Sequence, residues 1–271
     1  MDINIASEKG SGKINEDSFI STNSTFGVFD GAASLTKWKN DAGKTGGYIA
    51  SNVVAREFTD PDAQISDIAR TANKILRQSM TKSGIDVSLG KNRWSTTIAA
   101  VRVNDNTFDW VHIGDSVIIA LYRDGSYKLI SPYHNHDVEV LALVKSLSGK
   151  KIGNLWEYEP FLKASTILQN NRNITYGVLD GSNEALNFIN SGTENLDNIS
   201  NILLLTDGCF IPQENPTGKE DFDTLVKLFK KKGLIGLKDY IRRLQQKDPN
   251  LWKYPRFKQS DDYTAIALNF N

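Results

Sequence analysis

Only one cysteine, Cys209, occurs among the 271 residues. That excludes an internal disulfide framework and fits a reducing compartment such as the cytoplasm. Net charge is missing as well, because 32 Lys and Arg residues balance 32 Asp and Glu residues. No global field therefore favours nucleic acid or an anionic membrane, and neither is expected as a partner. The one local basic stretch, Lys230-Lys231-Lys232, ends an amphipathic helical pattern, where it complements the helix C-terminus. No window approaches the ~20 consecutive apolar residues of a membrane helix. The opening MDINIASEKG lacks the basic start and apolar stretch of a signal peptide. Repeats, low-complexity tracts and long linkers are absent too. The expectation is a soluble cytoplasmic protein in which residues 1–271 form one domain.

Several familiar chemistries are also missing. Gly43-Lys44-Thr45 would need a glycine at position 38 to make a phosphate-binding loop, and that residue is Trp38. A cysteine-based phosphatase needs arginine six residues after its nucleophile, but Asn215 stands six after Cys209. No G-x-S-x-G elbow offers a serine nucleophile. Among the three histidines, His112 reads as a packed strand residue, and His134 and His136 as surface-loop or helix-start residues.

Acidic patches are what the chain does have. They read Asn15-Glu16-Asp17-Ser18, Phe29-Asp30-Gly31, Gly114-Asp115-Ser116, Thr206-Asp207-Gly208 and Asp261-Asp262-Tyr263-Thr264, with Ser95-Thr96-Thr97 as a neutral companion. Several abut apolar strand-like runs: FGVFDG, VHIGDS, ILLLTDG and DDYTAIAL. Taken singly, each patch also reads as a polar turn, since Asp-Gly commonly ends a strand, and Asp180-Gly181 is read as a turn only. Carboxylates at the ends of apolar strands are costly to leave unpaired, so several converging would call for a cation. With no cysteine or histidine within the patches themselves, the ligation would be by oxygen, which suits a hard ion such as Mg²⁺ or Mn²⁺.

Strand patterns open the chain at 3–6, 18–22 and 26–29, and helical patterns follow at 44–58 and at 61–83, where Pro61 suits a first turn. A meander over 95–130 comes next, with Asn104-Asp105-Asn106 and Asp124-Gly125 as turn signals. Helices are expected at 138–147, 161–169, 183–188, 222–232 and 234–246. Strands are expected at 174–179, 202–205 and 264–270. Strands first and last, with helix pairs between, suit two packed sheets with helices outside.

In this order the patches resemble those of the metal-dependent serine/threonine phosphatases of the protein phosphatase 2C (PP2C) family. VHIGDSVIIALYRDGSYKLIS is especially similar to bacterial members. The resemblance implies an α+β fold: a four-layer α-β-β-α sandwich with two central, mainly antiparallel sheets flanked by helices. It implies two Mg²⁺ or Mn²⁺ ions, and a weaker third, activating a bridging hydroxide that hydrolyses phosphoserine or phosphothreonine on proteins. Asp30 would bridge the ions and the Gly31 carbonyl would add a ligand. Asp207 and Asp261 would hold one ion, Glu16 the other, and Asp115 the additional one. Asp17 would orient the waters, so Asp17 and Asp30 are the expected catalytic carboxylates. Partners would be phosphorylated protein substrates, together with a serine/threonine kinase or its targets.

Two departures qualify this. Gly12 stands where many members carry a phosphate-gripping arginine, leaving Lys13, or Lys9 of the same loop, as the substitute. Ala32 stands where many eukaryotic members have a histidine. The alternative function is a catalytically silent or weak domain of the same fold that binds phosphoproteins or partner proteins.

Overall fold

A computed structural model describes residues 1–32, 36, 38–150 and 154–270 of the chain. Its strands are β1 (Asp2–Glu8), β2 (Ser18–Ser21), β3 (Thr25–Phe29), β4 (Gly31–Ala32), β5 (Ser95–Thr96), β6 (Ile98–Val103), β7 (Thr107–Ile113), β8 (Val117–Tyr122), β9 (Tyr127–Leu129), β10 (Asn190–Asn195), β11 (Ile199–Leu205) and β12 (Tyr263–Asn269). Its helices are α1 (Gly46–Glu57), α2 (Ile65–Lys82), α3 (Val138–Ser146), α4 (Glu159–Asn170) and α5 (Phe222–Gln246).

The strands form two five-stranded antiparallel sheets, ordered β1-β12-β11-β8-β9 and β10-β7-β6-β3-β2, plus a short β4-β5 pair. Alternation along β12 shows how the layers arise. Ile266 and Leu268 point between the sheets, against Phe26, Val28, Ala99 and Val101 of the other sheet. Ala265 and Ala267 point outward, where their small side chains let α5 approach through Leu234, Leu237 and Ile241. On the opposite outer face, α1 and α2 cover the second sheet through Val54, Ile68, Ala72 and Leu76 against Phe29 and Ile98. Both strands and helices are thus buried on the faces their periodicity marks, each large apolar side chain contributing ~1.5–3 kcal/mol. The result is the expected four-layer α-β-β-α sandwich.

α3 and α4 pack on one another through Val140, Val144 and Phe161 as a separate small cluster. α5 carries a break at Gly233 (φ 66°), so its halves match the two helices read from the sequence on either side of that residue.

Two expectations are corrected, and one strand was not expected. Helix α2 starts at Ile65, four residues beyond Pro61. The segment 174–179 is not a strand: Asn173 adopts φ 57°, and its side chain accepts the Val178 amide at 2.9 Å. Only isolated bridges, Arg172 to Tyr176 and Thr96 to Leu179, form around this turn. Strand β10, NSGTEN, pairs with β7 although it carries no apolar alternation, because an edge strand exposed on its outer side needs none. Among the described residues, no helix is long and apolar enough to cross a membrane.

Candidate metal centre

The acidic patches occupy strand ends and turns on one side of the sandwich. Glu16 and Asp17 precede β2, Asp30 ends β3, Asp115 lies in the β7–β8 turn, Asp207 follows β11 and Asp261 precedes β12. Glu16, Asp30, Gly31, Asp115, Asp207 and Asp261 line one cleft. Asp17 sits beneath it, 7% exposed. Lys13 is exposed and does not line the cleft. Its loop neighbour Lys9, also exposed, directs its ammonium to the Lys13 carbonyl at 3.5 Å. Neither supplies the cation expected of that loop.

The backbone around each carboxylate is clamped. Asp262 accepts the Gly10 amide at 2.7 Å and the Glu16 amide at 2.8 Å, so the last patch fastens the first to itself. This resolves the adjacent-carboxylate conflict: Asp262 turns to backbone N–H groups while Asp261 faces the cleft. Thr45, the N-cap of α1, accepts the Tyr48 amide and donates to the Glu16 carboxylate. Ser51 of α1 donates to the Glu16 carbonyl at 2.5 Å. Thr97 bonds both ways with the Asp30 backbone: its amide donates to the Asp30 carbonyl at 2.9 Å, and its hydroxyl oxygen accepts the Asp30 amide at 3.2 Å. Thr96 donates its hydroxyl to the same carbonyl at 2.7 Å. Thr97 and Ser116 share a hydroxyl bond of 2.5 Å, which joins this clamp to the Asp115 turn. Thr206 donates to Asp17 Oδ2 at 2.9 Å. The Thr-Thr patch therefore packs and ties down the site, as its strand position suggested.

The glycines after Asp30 and Asp207 serve close approach rather than turn geometry. A Cβ on Gly31 would collide with the carbonyls of Gly47 and Glu16, and one on Gly208 with the Asp262 carbonyl. Each Asp-Gly thus lets one patch lie directly against another.

The electrostatics are one-sided. Burial first, then Asp17, Asp207, Asp261 and Asp115, push the Asp30 carboxyl well above the ordinary carboxylate range. Asp207 is raised in the same way, by burial and then by Asp261 and Asp115. Asp17 is pushed up to about 8 and Asp115 to about 6, both chiefly by burial. Glu16 is raised by burial despite its bond from Thr45. Asp115 Oδ1 and Asp207 Oδ1 are buried without a hydrogen-bond partner among the described residues. Orphaned carboxylate oxygens facing like charges fit a divalent cation as the missing partner.

Two residues at this site had no local signal in the sequence. Lys258 places its ammonium 2.6 Å from Asp261 Oδ1. His136 is not a surface residue: its side chain is 15% exposed, with Nε2 3.5 Å from Asp115 Oδ2 and 3.6 Å from Asp137 Oδ1. Its ring stacks on Tyr176 at 4.0 Å. Asp115, His136 and Asp137 offer ligand atoms within 4.8 Å of one another, so the expectation of oxygen donors alone is corrected by an available imidazole. Burial lowers the His136 pKa, which keeps its ring neutral and able to ligate. His112 is buried in β7, its pKa lowered to about 4 by desolvation.

With this arrangement in view, the comparisons are direct. The family model for protein phosphatase 2C matches residues 6–242. The chain belongs to the protein phosphatase 2C family. No curated protein sequence matches it significantly. Among solved structures, it is similar to the Mycobacterium tuberculosis serine/threonine phosphatase PstP/Ppp, with 17% identity over 100% of this chain and 98% of that one, at a TM-score of 0.60. A PstP catalytic domain in complex with two manganese ions covers 99% of this chain and 97% of its own, at 16% identity and TM-score 0.60. Serine/threonine phosphatase Stp1 from Staphylococcus aureus covers 99% and 94%, at 18% identity and TM-score 0.56. The family match stops short of Asp261, whereas these structural matches span β12 and the patch before it.

Proposed function

We propose that this member of the family is a metal-dependent phosphatase acting on phosphoserine and phosphothreonine monoesters of proteins. The observation that carries the reading is the convergence of Glu16, Asp30, Asp115, Asp207 and Asp261 on one cleft, with two orphaned carboxylate oxygens and raised pKa values. Asp30, Asp207 and Asp261, with Glu16 and the Gly31 carbonyl, would hold two Mg²⁺ or Mn²⁺ ions. Asp115, now with His136 and Asp137, would hold a weaker third. Such ions supply an activated water and offset charge on the phosphoryl oxygens.

The chain's own residues do the positioning. Thr45 orients the Glu16 carboxylate, Thr96 and Thr97 fix the Asp30 backbone, and Thr206 holds Asp17 beneath the cleft, from where it orders water above it. The wall formed by Trp156, Ser165, Leu168 and Tyr176 lies over the cleft and is where a phosphoprotein segment would meet the enzyme. A kinase acting on the same targets, or one of its substrates, is the partner this implies, in the cytoplasm.

One observation favours the rival reading of a silent phosphoprotein-binding domain: Lys258 already pairs with Asp261. Mn²⁺-dependent hydrolysis of p-nitrophenyl phosphate separates the two. The phosphatase reading expects turnover that needs metal and disappears in Asp30→Ala and Asp207→Ala. No turnover in the wild type supports the silent domain, and metal-independent turnover contradicts the metal-dependent reading.

A further inference from the structure

In a cleft lined by this many carboxylates, a phosphomonoester dianion gains from a side-chain cation that meets its oxygens alongside the metal ions. The amino-terminal loop does not provide one, since Lys9 and Lys13 are exposed and outside the cleft. Lys258 and Arg172 are the lysine and arginine that line it among the described residues. Arg172 is engaged with Tyr176, and its charge acts on His136 and Asp137. Lys258 stands beside the carboxylates themselves, its ammonium 2.6 Å from Asp261 Oδ1. Its side chain keeps 35% of its exposure. One ammonium proton meets Asp261, and two more remain to face the cleft.

The loop that carries Lys258 is built to hold it. Asp248, at the end of α5, accepts the amides of Trp252, Lys253 and Tyr254 at 3.0, 3.1 and 2.9 Å, and Arg256 Nη1 at 2.8 Å. Arg256 also reaches the carbonyls of Gln245 at 3.0 Å and Gln259 at 3.0 Å. Gln259 returns its side-chain amide to the Gln245 carbonyl at 2.6 Å. The residues on both sides of Phe257-Lys258 are therefore tied to the last turn of one helix. Ordering an irregular loop this completely opposes a substantial loss of conformational entropy, and what it fixes is the place of the Lys258 ammonium.

We propose that Lys258 is a substrate-positioning residue that binds the phosphoryl group of the monoester, supplied from the carboxy-terminal loop. This rests on the phosphatase reading above. Its rival role is a bare counter-ion for Asp261.

Inorganic phosphate is the probe, titrated calorimetrically into the Mn²⁺-loaded full chain as wild type, Lys258→Ala, Lys258→Gln and Lys258→Arg. A lost charge-assisted hydrogen bond weakens phosphate binding by about tenfold or more in the two neutral variants. Lys258→Arg keeps most of the affinity. With a phosphothreonyl peptide, the neutral variants raise KM more than they lower kcat, and Mn²⁺ affinity does not fall. Unchanged phosphate affinity with tighter Mn²⁺ binding overturns the proposal in favour of the counter-ion. If Lys258→Ala does not fold, Lys258→Gln, which keeps the length of the aliphatic stem, decides by the same titration. The phosphatase reading fails separately: a wild type that binds phosphate through Lys258 but hydrolyses nothing sinks that reading and leaves only the phosphoryl contact of Lys258 standing.

Discussion

Asp248 and the Asp30–Asp207 pair are carboxylates withdrawn from bulk water in the same chain, yet their surroundings are opposite. At Asp248 burial would raise the pKa, but the amides of Tyr254 and Lys253 and the Arg256 guanidinium override it and hold the group below its ordinary value. At Asp30 and Asp207 burial dominates and neighbouring carboxylates add to it, opposed at Asp207 only by a hydrogen bond with Asp30 and by no cation. The first site is complete in itself and supports the fold. The second is left short of positive charge by the folded chain, which is the condition under which a protein binds cations.

Breaking the second site should cost function first. Asp30→Ala or Asp207→Ala should reduce Mn²⁺-dependent phosphate ester hydrolysis to the assay background. Thermal unfolding of the metal-free protein should not fall, since each change relieves like-charge repulsion. A variant that loses activity only by unfolding would contradict the contrast. Asp248→Ala should do the reverse. It leaves Arg256 buried without its partner, and denaturant unfolding should show a loss of about 3–5 kcal/mol, with the Lys258 loop loosened.

A third effect is pH-dependent. Burial pushes the Asp17 carboxyl up to about 8 and that of Asp115 up to about 6, from the ordinary 3.8. Carboxyls with raised folded values stabilise the fold below the ordinary value, and that contribution is lost as pH rises through the folded ones. The metal-free protein should therefore lose stability between about pH 4 and about pH 8. A fixed Mn²⁺ concentration, a hundred times its Kd at pH 8, should restore about 2.7 kcal/mol there and less at pH 5, where protonated carboxyls bind the ion more weakly, as read by thermal shift. The smallest effect is expected at Lys13. Lys13→Ala should change stability and transition-state binding by less than about 0.5 kcal/mol, checked by kcat/KM.

The Asp30–Asp207 half of this contrast was legible in the linear chain, for a local reason, whereas nothing there marked Asp248. A strand buried on both faces, such as β3 or β11, reads as an unbroken apolar run, and the Asp that ends it stands out. Periodicity also separated the layers, since Ala265 and Ala267 differ in size from Ile266 and Leu268. What stayed hidden depends on contacts between distant segments. Nothing near Lys258 announces that its loop folds back to Asp261, and nothing near His136 announces Asp115. β10 was invisible because its pairing with β7 is made by the backbone, with a polar side-chain sequence. The Asp-Gly dipeptides suggested turns, whereas the space required against Glu16, Gly47 and Asp262 becomes apparent only in three dimensions.

Anomalous diffraction from Mn²⁺-soaked crystals tests the central claim most directly. The account predicts two manganese peaks about 3.5–4 Å apart, shared by Asp30 and flanked by Asp207, Asp261 and Glu16. Crystals of well-folded protein in saturating Mn²⁺ with no peak beside Asp30 would contradict it.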